Sequence, residues 1–282
     1  MTKRLKYIVI CAAILGIVAL ISSVRHYKEV LGQRDYDDIE SEGVINVIVE
    51  DNKMSYITIQ CDTLVECDSL EGLQVKMVED FARRHSLNVK FISERNLDKA
   101  MEMLMNNQVD LLAWHLPVYN DMKETVSYTI PVFTSRQKLV QRRRKPGVMD
   151  TTLFIVNQLD LAGQHLYVAP GSIFKHRLHY LEKEIGDTIY LHEIPDSNDD
   201  MLFRMVSDSV INYFVCDEFV ARVLQKDYPN VDISTAISFT QNYSWGVRHG
   251  SPDLLDSLNN WLAVYLESKA YNKIYRKYTG VK

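Results

Sequence analysis

Along this chain the apolar positions first run together, then alternate, then recur at helical spacing. The run comes first: Tyr7 to Val24 holds no charged residue and follows Lys3, Arg4 and Lys6. At a rise of about 1.5 Å per residue this stretch just crosses a bilayer, and it exceeds the core of an ordinary cleaved leader. A single-pass signal anchor (residues 1–24) is therefore favoured over a removed signal. The basic residues before it favour a cytoplasmic N-terminus, with Arg25 and Lys28 weakening the bias. Residues 25–41 are polar and read as a linker. The rest is expected outside the cytoplasmic membrane, in the periplasm.

Beyond the linker, β-rich runs alternate with amphipathic helical patterns, which predicts an α/β fold built on largely parallel sheets. "GVINVIVE" reads as the first strand. Leu73, Met77, Val78 and Phe81 share one face of a helix over 70–84, and "NVKFIS" returns as a strand. Asn96 is placed to cap a helix whose stripe is Leu97, Met101 and Leu104. "VDLLAWHL" follows as a strand. About a hundred residues later "MVSDSVINYFVCD" repeats the design of "LMNNQVDLLAWH", a helix end, a polar turn and a buried strand, so two lobes of similar build are expected. The echo sets His115 and Asp217 at matching strand ends, where ligands bind in open α/β sheets. Between the echoes, Phe174, Leu178, Leu181 and Ile185 line a helix, and after them "YSWGVR" should return the chain to the first lobe. Leu255, Leu258, Leu262, Leu266 and Ile274 are the expected inward residues of the last helical stretch.

Composition narrows the functions. With 282 residues, 46% hydrophobic and 24% charged, the chain can build two compact lobes. A net charge of −5 supplies no basic field for nucleic acid, and Arg142 to Lys145 reads as a solvated loop. The compartment permits disulfides, and Cys61 and Cys67 are close enough in sequence to be a candidate pair. His176 and His179 have no accompanying ligand cluster and read as surface residues, with no metal and no cofactor expected. A G-x-S-x-G elbow, a phosphate-binding loop and an H-E-x-x-H helix are all missing from the sequence.

Two short motifs carry candidate chemistry. In "VAPGSIF", Gly171 and Ser172 stand at a helix start, where free amides and the helix dipole suit an anion; the alternative is that Ser172 caps the helix. Asp217 ends "YFVCD", where it can hold an ammonium or cap the helix beginning at Glu218. Together they describe a receptor for a zwitterion such as an amino acid, each buried charge being compensated.

The ordered set "EGLQVKMVEDFARRHSLNVKF", "VDLLAWHLPVYNDMKETVSYTIPVFTSRQKLVQR", "LDLAGQHLYVAPGS", "FVCDE" and "SWGVRHGSPDLLDSLNNWL" resembles the bacterial extracellular solute-binding proteins of family 3. It is similar above all to the receptor-like N-terminal half of the membrane-bound lytic murein transglycosylase F group. The resemblance covers nearly everything from Arg34 to Gly280. It implies a two-lobed, venus-flytrap periplasmic-binding fold, with lobe 1 formed by residues 42–142 and 239–282 and lobe 2 by residues 143–238. It implies that Gly171 and Ser172 hold a ligand carboxylate and Asp217 its amino group. Tyr56 matches the aromatic wall of the site, and Gln74 stands where an aspartate is common. The first-lobe segment that in the family carries small hydroxyl residues and then an arginine reads here Trp114, His115, Pro117 and then Met122 or Lys123. Lysine offers a point charge where arginine offers a fork. His115, Tyr119 and Lys123 are thus expected to hold a polar part of a larger or different ligand, unless Trp114 and His115 simply fill the lobe.

The expected function is a non-enzymatic, membrane-tethered receptor that closes on a small polar ligand (amino acid, peptide or muropeptide-like), with a permease or a cell-wall enzyme as partner. Two alternatives remain: a transglycosylase-related protein, regulatory or inactive because residues for the separate catalytic domain are absent, and an envelope interaction module without a ligand.

Overall fold

In a computed structural model, residues 34–52, 54–55, 57–59, 69–118, 122–144, 147 and 154–280 are described. The apolar run of residues 7–24, Tyr56, Cys61, Cys67 and Tyr119 lie outside them.

The chain enters through a helix, Tyr36–Glu42, where the polar composition suggests a linker. Asp35 and Asp38 cap it reciprocally, and Ile39 is fully buried. One apolar residue per two turns is too thin a pattern to announce a helix, but the acidic cap pair fixes its start.

The first sheet runs in the order β4-β1-β5-β13-β6, with β7 also on β13. Its strands are β1 (Val44–Glu50), β4 (Asn88–Glu94), β5 (Leu111–Pro117), β6 (Val126–Tyr128), β7 (Phe133–Ser135) and β13 (Gln241–Arg248). The pairs β1·β4 and β1·β5 are parallel, while β13 is antiparallel to β5, β6 and β7. A short antiparallel pair, β2 (Ile57–Ile59) and β3 (Ser69–Glu71), precedes the helix Leu73–Arg84. That helix therefore starts three residues later than its apolar pattern suggests. Asn96 caps the helix Leu97–Met105, its side chain accepting from the amides of Asp98 and Lys99.

The second sheet repeats the plan: β10-β9-β11-β8-β12. Its strands are β8 (Gln137–Arg142), β9 (His165–Val168), β10 (Tyr190–Glu193), β11 (Tyr213–Asp217) and β12 (Val231–Asp232). β9 is parallel to β10 and β11, and β8 runs antiparallel to β11 and β12. The chain crosses to this sheet at Arg136, one strand earlier than the expected boundary at 142. The cause is pairing: β8 aligns with the whole of β11, from Gln141 opposite Tyr213 to Gln137 opposite Asp217. The return crossing lies between β12 and β13.

Helices Phe174–Ile185, Asp199–Ser207 and Glu218–Leu224 pack on the second sheet, and Pro252–Tyr265 and Lys269–Thr279 close the chain. In Pro252–Tyr265 the inward residues are Leu254, Leu258, Leu262 and Tyr265; Leu255, Leu266 and Ile274, expected inside, are only half-buried. Among the described residues no helix is long and apolar enough to cross a membrane.

Candidate functional site

β1, β5 and β11 are apolar through the sheet, so the first acidic or histidine side chain of each stands at or near its carboxyl end, where neighbouring strands diverge. β1 delivers Glu50 in this way, β5 delivers His115 and β11 delivers Asp217. His115 Nδ1 donates to Glu50 Oε2 at 2.6 Å, and Ser55 Oγ lies 3.2 Å from the same nitrogen. The imidazole is almost wholly buried and stands edge-on to Phe133, with centroids 5.1 Å apart. Phe133 in turn meets Phe219 of the second lobe edge-on at 5.7 Å and stacks on Tyr243. An aromatic wall thus joins the two lobes beside the polar groups.

Across this wall, one oxygen of Asp217 accepts from the Phe219 amide at 2.8 Å and from Ser135 Oγ at 3.0 Å. The capping role is therefore real, but it uses only Oδ1. Oδ2 is buried with no hydrogen-bond partner, which is costly for a carboxylate. Burial raises the Asp217 pKa, opposed by His115, the Phe219 amide and Ser135. Asp199, in the first turn after the Asn198 cap, is hemmed in by protein although part of the residue is still exposed. Burial, with the charges of Glu50 and Asp217 behind it, pushes its carboxyl up to about 8. The charge of Glu50 from one lobe thus acts on both Asp199 and Asp217 of the other.

The other expected residues are placed differently. Trp114 alternates with His115 along β5 and packs into the hydrophobic core. Lys123 is exposed on the turn Met122–Glu124, whose backbone carbonyl at Lys123 accepts from His249 Nε2. Gln74 is buried and accepts from Trp245 Nε1 at 2.6 Å, a tie between helix and sheet. Gly171 has φ +66, and a β-carbon there would lie 2.4 Å from Asn96 Oδ1. The Leu97 amide donates to the Gly171 carbonyl at 3.4 Å, so the lobes touch at this turn. Ser172 Oγ accepts from the Phe174 amide at 3.3 Å, and the Ser172 amide donates to Ala169 within the turn. Gly171 and Ser172 line a hollow of about 540 Å³ with Leu97, Asp98, Lys175 and His176.

Glu50, Ser55, Ser135 and Asp199 were not singled out by sequence reasoning. Glu50 had a signal, being the first charge after "VINVIV". Asp199 had a weaker one, following a helix-capping asparagine.

Comparison with known proteins bears on this geometry. Residues 60–281 match the bacterial extracellular solute-binding proteins, family 3. A curated relative, "Membrane-bound lytic murein transglycosylase F" of Desulfosudis oleivorans, is 22% identical over 85% of this chain and 49% of its own length. A namesake in Serratia proteamaculans is 22% identical over 99% of this chain and 54% of its own. The chain therefore spans about half the length of these relatives. Among solved structures, the substrate-binding protein AbpA of Streptococcus pneumoniae, bound to L-arginine, superposes with a TM-score of 0.71 at 15% identity, covering 87% of this chain and 98% of that one. Holo ArgBP of T. maritima gives 0.67 at 20% identity, covering 86% and 99%. These likenesses show the two-lobed fold of type II periplasmic binding proteins.

Proposed function

The chain belongs to the bacterial extracellular solute-binding proteins, family 3, and on that premise we propose that it is a tethered receptor that closes on a small polar ligand outside the cytoplasmic membrane. The observation that carries this reading is the free, buried Oδ2 of Asp217, facing the His115–Glu50 pair of the other lobe. A buried carboxylate oxygen without a partner is a binding contact waiting for a donor, and a ligand amino group supplies one. His115, Glu50 and Asp217 are the polar contacts in this reading, with Phe133 and Phe219 as apolar walls. Tyr56 and Tyr119 complete the contact set, and the Gly171–Ser172 turn closes the rim. Residues 7–24 act as the anchor, and a permease or a cell-wall enzyme receives the signal or the ligand.

The lytic transglycosylases among its relatives suggest where the module works. The part of these relatives that the chain covers matches the solute-binding family model, so we assign it the binding role. Purified protein releasing anhydro-muropeptides from peptidoglycan would count against that assignment.

The direct test is thermal unfolding of the full-length protein against amino acids, short peptides, amines and muropeptides, with Asp217→Ala alongside. A ligand at a hundred times its Kd stabilises by about 2.7 kcal/mol, which raises Tm by roughly 5–10 °C. A shift in the wild type that Asp217→Ala abolishes supports the receptor; no shift from any class favours the ligandless module.

A further inference from the structure

The first lobe carries a second hollow, which no cleft residue lines, between the end of helix Leu73–Arg84 and helix Pro252–Tyr265. We propose that it is a binding site for an aromatic monocarboxylate, separate from the cleft and independent of the receptor reading. Its volume, about 540 Å³, suits a small molecule. Ser257, Trp261 and Tyr265 follow one another at intervals of four along Pro252–Tyr265, with Asn260 and Val264 beside them, so one face of that helix forms a wall. Trp261 and Tyr265 stack with centroids 4.2 Å apart, and Phe81 meets Trp261 edge-on at 5.4 Å, which fixes the indole. Trp114 and Trp245 are buried, whereas Trp261 is only half-buried and Val264 is exposed. Ring and aliphatic surface are thus open to a guest, and ring pairs are worth more than the area they bury.

The charges on the wall set the guest's polar end. Arg84 is exposed and, among the described residues, its guanidinium has neither an ion pair nor a hydrogen bond. Among those residues no carboxylate lines the hollow. Asp80, which does not line it, is already matched by Arg83 at 2.7 Å and by the Tyr265 hydroxyl at 2.5 Å. His85 Nδ1 lies 2.7 Å from the Tyr36 hydroxyl, and burial, with the Arg84 charge behind it, lowers its pKa, so this imidazole is neutral at pH 7. Arg84 is left as the fixed charge of the wall, and Ser257 and Asn260 add neutral donors. A guanidinium fork takes a carboxylate through two parallel hydrogen bonds, whereas an ammonium would meet a like charge. A ring bearing one carboxylate therefore matches both the apolar wall and its rim.

The experiment is calorimetric titration of the full-length protein at pH 7 with two matched pairs, phenylacetate against phenethylamine and indole-3-acetate against tryptamine. Each acid is expected to bind at least about tenfold more tightly than its amine. Arg84→Gln should weaken the acids by about tenfold and Val264→Glu should abolish their binding, while Asp217→Ala should leave it intact. Phenylacetate should also shift the tryptophan emission, because Trp261 is the one of the three tryptophans that is not buried. Arg84 and Val264 are exposed, and the wild-type ranking carries the test should either variant fold poorly. Amines that bind as tightly as the acids, or no binding at millimolar concentrations, overturn the inference. So does acid binding that Arg84→Gln and Val264→Glu leave unchanged, whether or not Asp217→Ala removes it.

Discussion

At the scale of single residues, Asp199 and Asp217 are carboxylates held in unfavourable company. An acid whose folded pKa lies above its unfolded value binds its proton more tightly when folded. Its contribution to stability is then intact below the unfolded pKa and is lost as pH rises through the folded one. For Asp199, raised from 3.8 to about 8 by burial and by Glu50 and Asp217, the window runs from about pH 4 to about pH 8. Asp217 shifts in the same direction, chiefly through burial. The ligand-free protein should therefore lose stability as pH climbs from 5 to 8, by up to about 1.4 kcal/mol per pH unit for each such proton. Asp199→Asn removes one titrating group and should flatten that slope while raising stability at pH 8. Denaturant unfolding across that range is the check; a variant as steep as the wild type would mean that Asp199 does not titrate in the folded protein.

A different carboxylate works at the scale of elements. Asp110 precedes β5 and is fully buried. It accepts from the Asn46 amide at 2.8 Å and from Arg34 Nε at 2.9 Å, and it lies 3.4 Å from Arg248 Nη2. It thus fastens β1, β5, β13 and the incoming chain at one point. Arg248, itself fully buried, also donates to the carbonyls of Leu104, Val109 and Arg34. Asp110→Ala leaves that guanidinium without its counter-charge and should cost about 3–5 kcal/mol, read from the midpoint of chemical denaturation. A loss under 1 kcal/mol would show that the carbonyls alone satisfy Arg248.

This scale also separates what could be read from the chain from what could not. Period revealed β1, β5 and β11, because strands buried on both faces are apolar throughout, and it put Asp217 at the end of β11, whereas His115 lies two residues inside the end of β5. The Asn96 cap was legible because capping is local. The first crossing was not: "QKLVQR" carries no apolar period that favours one sheet over the other, and only its pairing with β11 decides. Nor was the polar set at the cleft. Glu50 and Ser55 are ordinary surface types in sequence, and they join His115 only in the fold.

At the scale of the whole molecule, the described residues of the two lobes touch at the aromatic contacts of Phe219 and at the Gly171 turn. Phe219 touches Phe133 and Tyr275, and Gly171 touches the Asn96 side chain and the Leu97 amide. Closure gathers like charges, so these contacts and the ligand must offset the repulsion. That makes Gly171 a control point for closure, and Gly43 supplies the comparison. Both have positive φ, +66 and +67, but a β-carbon at Gly43 meets nothing within 4 Å whereas at Gly171 it meets Asn96. Substitution by alanine should cost each about 1 kcal/mol of folding stability through backbone strain. Only Gly171→Ala should also push the lobes apart, giving a larger radius of gyration by small-angle X-ray scattering and weakening the best-bound ligand of the thermal screen by about tenfold. Equal effects from the two glycines would mean that the turn is only a turn, and that closure depends on the aromatic contacts at the other side.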